Sequence, residues 1–180
     1  ASGTTMGDIT PEGFVALSRR KLAELFKKSY PKDEKAREAE VLRDALASRM
    51  EGQTRRPSVE ALLHEVIPSA FVLHVHSPLV NGVTCAAGGK AVFDKHFAGD
   101  GVWIEAIMPG YILAVRVKGE IERFAALNGR PPRRVFIQNH GVFIGADTVD
   151  AIDADVAALE AGIAPLLTHK PDLDDAPTDI

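Results

Sequence analysis

The sequence predicts a layered α/β domain with helices on both faces of a central sheet. Three observations carry this. Short runs rich in β-branched and aromatic residues, at 71–77, 103–104, 134–139 and 142–145, read as buried strands. Between them lie longer segments whose apolar residues recur at helical spacing. A chain of 180 residues with 46% apolar and 26% charged content can fill one sizeable core, and no internal repeat divides it.

Taken in order, the chain opens with Ala1-Ser-Gly-Thr-Thr5 and no initiating methionine, so residues upstream are expected. Thr10 is the expected N-cap, and Pro11 a first-turn residue, of a helix running to Lys28. Leu17, Leu22, Leu25 and Phe26 form its apolar stripe, and Arg19, Arg20, Lys21, Lys27 and Lys28 its solvated face. Tyr30-Pro31 ends it, and a second helix, charged outside, follows over 34–50. The loop Gln53-Thr-Arg-Arg56 is basic; Arg55 and Arg56 are either solvated or assist an anionic ligand. A third helix starts from Ser58, with Val59, Leu62, Leu63 and Val66 at i, i+3, i+4, i+7 as its buried face. Glu60 and His64 flank that face four residues apart, and Glu65 is expected outside. Ser58 reads as N-cap or anion contact. Glu60 reads either as an ordinary first-turn dipole partner or as a functional carboxylate.

Residues 71–77, Phe-Val-Leu-His-Val-His-Ser, hold the sharpest signal. Side chains alternate across a strand, so His74 and His76 project together while Val75 points away. Such a pair can present two imidazoles to one ion. His140, in Val135-Phe-Ile-Gln-Asn-His-Gly141, follows a second β-branched run that a returning strand could bring alongside. Three imidazoles with an open position would make a catalytic zinc-type site; hydrogen-bonded core or rim histidines are the alternative reading of the same pattern.

The remaining elements are a helix over 78–87 ending at Gly88-Gly89, a short strand at Trp103-Ile104, a helix over 112–127, and a turn at Asn128-Gly-Arg-Pro-Pro132. The strand over 134–139 delivers His140, Gly141 permits an unusual backbone, residues 142–145 resume the sheet, and a helix from Asp147-Thr148 reaches about Leu167. Residues 1–167 form the predicted domain; 168–180 are polar and proline-containing, a tail or linker. His96 reads as a surface residue.

Composition excludes several classes. A net charge of −4 offers no broadly basic surface for nucleic acid. One cysteine, Cys85, cannot form an internal disulfide and fits a reducing compartment. No run approaches the roughly 18 apolar residues that span a bilayer, and no signal-peptide pattern opens the chain, so a cytoplasmic location is expected.

Pro57-Ser-Val-Glu60, His74-Val-His76 and Gln138-Asn-His-Gly141 before an apolar strand, in that order, resemble the class II aldolase/adducin family over residues 2–167. The resemblance implies a three-layer α/β/α fold with a mixed, largely antiparallel sheet, and a ring-shaped homotetramer. It makes His74, His76 and His140 ligands of Zn2+ or another divalent ion, and Glu60 the catalytic acid/base. The implied reaction is retro-aldol cleavage of a ketose or ketose phosphate, with the ion's charge offsetting that developed as the C–C bond breaks. Glu60 would serve best if desolvation raised its pKa.

Substrate contacts implied by the resemblance are Ser2, Gly3 and Thr4, which look like the family's Ser/Thr-Gly loop, and Ser58. The preceding Gly-Asn segment has no match, and Val59 stands where a second hydroxyl is usual. A proton-donating tyrosine has no clear counterpart: Tyr111, the one tyrosine between His76 and His140, reads as packing at a helix start. The motifs are most similar to those of rhamnulose-phosphate aldolase domains fused to a dehydrogenase, of which this chain would be a fragment. A sugar-phosphate 4-epimerase of the same superfamily and an adducin-like interaction module are the alternatives; a zinc hydrolase lacks its His-Glu-x-x-His signature.

Overall fold

The computed structural model describes residues 10–167. Among them are seven α-helices and four strands. The strands are β1 (Phe71–Val75), β2 (Gly101–Ile104), β3 (Arg134–Ile137) and β4 (Gly141–Ala146), in the order β1-β4-β3-β2. β1 and β3 both run antiparallel to β4, while β2 is parallel to β3. The sheet is therefore mixed and largely antiparallel.

Alternation along each strand builds two cores. Val102 and Ile104 of β2, Val135 and Ile137 of β3 and Phe143 of β4 face one layer, formed by α1 (Arg19–Leu25), α2 (Glu34–Ala47), α3 (Ala61–Val66) and α6 (Tyr111–Asn128). Trp103, Phe136, Val142 and Ile144 face the other, formed by α4 (Pro78–Thr84), α5 (Gly89–His96) and α7 (Val149–Ile163). In β1, Val72 joins the first core while Leu73 and Val75 join the second, which puts His74 on the α3/α6 side. Burial on both faces is why β3 reads as a continuous apolar run, interrupted by one charge. That charge, Arg134, is buried and makes a bidentate pair with buried Asp155 of α7, at 2.9 Å and 2.7 Å, so neither ion is left uncompensated.

Several boundaries differ from the sequence-based expectation. Residues 11–13 form only a 3-10 turn, and α1 begins at Arg19, capped by the Ser18 hydroxyl, because Leu17 bridges to Arg49 in extended conformation. α3 starts at Ala61, not Ser58. Val59 thus lies in the preceding turn and is 60% exposed instead of buried. Glu65 is not an outward residue: its side chain is 12% exposed and pairs with Arg19 at 2.8 Å. The helix expected over 78–87 stops at Thr84, and α5 was not anticipated. Gly88-Gly89 is not a terminator there. Gly89 opens α5, where a Cβ would lie 1.9 Å from the Val83 carbonyl oxygen, so only glycine allows α4 and α5 to meet so closely. The α6 and α7 helices fall where periodicity places them, with Thr148 capping α7 through its hydroxyl.

Candidate metal centre

α3, β1 and β4 bring four ligand-type side chains to one point. One ligand-type atom from each of Glu60, His74, His76 and His140 lies within 4.8 Å of the others. His74 Nε2 is 2.8 Å from His76 Nε2 and 3.2 Å from His140 Nε2. Glu60 Oε1 is 3.1 Å from His140 Nε2 and 3.4 Å from His74 Nε2. Glu60, His74 and His140 are largely covered, while His76 is exposed and leaves the cluster open on its side.

Each ligand is set by its element. His74 is the penultimate residue of β1 in the pairing with β4, and its Nδ1 donates to the Val142 carbonyl at 3.0 Å, which turns Nε2 toward the cluster. His76 lies just past β1, two residues on and on the same side. His140 is the last residue of the β3–β4 turn, whose backbone is tied by bonds from Gln138 N to Ile104 O, Asn139 N to Thr84 O and His140 N to Ile137 O. The Gln138 side chain also accepts from Ala106 N at 3.1 Å. Glu60 sits at the N-cap position of α3, and its own N–H donates to the Ser58 hydroxyl at 3.2 Å.

The unusual backbone expected at Gly141 lies two residues earlier. Asn139 carries the left-handed conformation, φ 57°, that turns the chain toward His140. Gly141 is needed for close approach, since a Cβ there would sit 2.5 Å from the Val75 carbonyl oxygen and 2.6 Å from His76 Cδ2. Asn139→Val should therefore lower stability by about 1–2 kcal/mol, because a β-branched residue resists φ > 0, whereas Asn139→Gly should be close to neutral. Urea midpoints at constant m-value test this; equal midpoints for Val and wild type would contradict it.

Electrostatics also depart from expectation. Glu60 is not raised but held down, at about 2, chiefly by its hydrogen bond with His74; desolvation opposes this, and the charges of His74 and His140 add to it. It is a carboxylate at neutral pH, suited to accept a proton or to approach a cation rather than to act as a resting acid. His76 is also lowered, by partial loss of hydration and then by His74 and His140, which favours the neutral ring that a metal needs.

The donor set fits a divalent transition ion. Three imidazole nitrogens and one carboxylate oxygen match zinc chemistry, and the Val142 carbonyl supplies the outer support such a histidine usually has. Of the substrate contacts expected, Ser58 is exposed and reaches the centre only through Glu60's backbone; it lines a neighbouring hollow of about 470 Å3 with Pro57, Ala61, His64 and Arg19. Ser2, Gly3 and Thr4 lie outside the described residues. Tyr111 is buried away from the cluster: its hydroxyl donates to Leu25 O at 3.2 Å and its ring packs against Phe26 and Tyr30. Phe143, not singled out by sequence, stacks on His74 with ring centres 3.9 Å apart.

The three-layer α/β/α domain thus carries a three-histidine, one-carboxylate cluster at the end of β1 and the β3–β4 turn. Residues 1–162 match the class II aldolase and adducin N-terminal domain, and the chain belongs to that family. It is similar to the N-terminal class II aldolase domain of a conserved protein from Thermoplasma acidophilum, at TM-score 0.73 and 20% identity over 92% of this chain and 71% of that one. An aldolase II superfamily protein from Pseudomonas syringae is matched at TM-score 0.41 and 19% identity, over 69% and 55%. In sequence, the chain is 24% identical over 148 residues to the uncharacterized oxidoreductase YuxG of Bacillus subtilis strain 168. That match covers 82% of this chain but 20% of the relative, so the chain spans about a fifth of its length. Among the described residues no helix is long and apolar enough to cross a membrane.

Proposed function

We propose that residues 1–167 form the catalytic domain of a metal-dependent carbon–carbon lyase that cleaves a ketose or ketose phosphate by retro-aldol chemistry. The observation that carries this reading is the convergence of Glu60 Oε1 on the same point as three histidine Nε2 atoms. His74, His76 and His140 would hold the ion, taken as Zn2+. When bound, it supplies Lewis-acid charge for a substrate carbonyl and hydroxyl. Glu60, ionised, relays a proton between the substrate hydroxyl and the carbon at which the bond breaks. Its ties to the ring nitrogens hold the carboxylate within reach of any group seated over the cluster. The exposed side at His76 is the route of entry. Ser58 with Ser2, Gly3 and Thr4 contacts the substrate, and no Schiff-base lysine is required.

A homotetramer in the cytoplasm, with the sites between subunits, belongs to the same reading. The match to one fifth of a longer oxidoreductase agrees with a lyase domain fused to a dehydrogenase, the arrangement of the rhamnulose-phosphate aldolase type. The test combines metal analysis of purified protein with incubation against phosphorylated and free ketoses. Two shorter carbonyl products with bound metal are expected. A single isomer would identify a 4-epimerase instead, and protein that binds no metal and turns over nothing would leave the interaction module.

A further inference from the structure

Residues 140–143 do more than supply one ligand. His140 is a member of the cluster itself, Gly141 leaves room for the His76 ring, and the Val142 carbonyl accepts from His74 Nδ1. Phe143 completes the series: it lies directly across from His74 in the β1–β4 register, and the two rings are 9° from parallel at 3.9 Å. Phe143 is 1% exposed, and the edge of His64 packs against it at 5.4 Å, so the phenyl ring has no freedom to follow a moving imidazole. The carbonyl bond pins one atom of the His74 ring. It does not fix the ring plane, and a flat neighbour does.

We propose that Phe143 is a positioning residue whose flat face sets the His74 imidazole plane and so tunes the metal affinity of the site. This rests on the metal-binding reading above. An aliphatic side chain of similar bulk would still fill the core, but would let the ring tilt and Nε2 leave the point shared with His76, His140 and Glu60.

The test is zinc affinity by chelator competition, and the visible spectrum of the cobalt-substituted protein, for wild type, Phe143→Leu and Phe143→Met. Phe93→Leu, a buried phenylalanine of the opposite layer, controls for loss of packing. Thermal melts of the metal-free proteins should show lower stability in all three variants. Zinc affinity should fall about 10- to 100-fold in the two Phe143 variants only, the usual scale for losing an outer support of a metal ligand, with an altered cobalt band. Affinities within twofold of wild type in whichever Phe143 variant folds, or an equal loss in Phe93→Leu, would overturn the proposal. Wild-type protein that binds no zinc would instead remove the metal reading itself.

Discussion

Replacing His74 or His140 with alanine should abolish stoichiometric zinc binding while leaving a folded domain. Loss of an outer hydrogen bond alone costs about 10- to 100-fold in affinity, so loss of a ligand should exceed that and take the site out of the micromolar range. Both side chains are mostly covered, and His74 stacks on Phe143 of the first core, so His74→Ala should cost more stability than His140→Ala. Metal content after dialysis and the melting temperature of the metal-free form give the two numbers needed. Retention of one equivalent of zinc by His140→Ala would show that the ion sits elsewhere.

Glu60→Gln should leave metal content near that of wild type and lower C–C cleavage by about a hundredfold or more, the scale of a lost general acid/base. The amide keeps the shape of the carboxylate and one acceptor, but cannot take a proton or carry the charge that now faces His74 and His140. Simultaneous loss of metal and activity would make Glu60 a fourth ligand rather than a proton carrier. Unchanged turnover would remove it from the chemistry.

How much of this was legible depended on the distance over which each signal acts. His74 and His76 were readable because strand alternation is local and leaves no choice of face. That His140 joins them rested on a β-branched run that a returning strand could bring alongside and on the family resemblance; β4 pairs antiparallel with β1, which places the three rings together. Val59 misled because a Pro57-Ser58 turn and a helix's first turn share the same residue preferences, and only the Glu60 N–H to Ser58 bond separates them. α5 was hidden by Gly88-Gly89, whose role is set by a helix crossing that no local rule reports. The low pKa of Glu60 likewise needed its two histidine neighbours in place, since burial by itself argued the opposite sign.

The members of the cluster come from distant parts of the chain. His74 and His140 are 66 residues apart, and Glu60 and His140 are 80. β3 and β4 can pair early, as a hairpin, whereas β1 must close a long loop to join them, which is slow for entropic reasons. Without the β1–β4 ladder His140 is not brought to the His-x-His pair, so on the proposed reading a divalent ion would find its full set of histidines only in the finished topology. Such an ion would act as a clasp across three elements, and its concentration would set how firmly the last long-range closure is held against reopening.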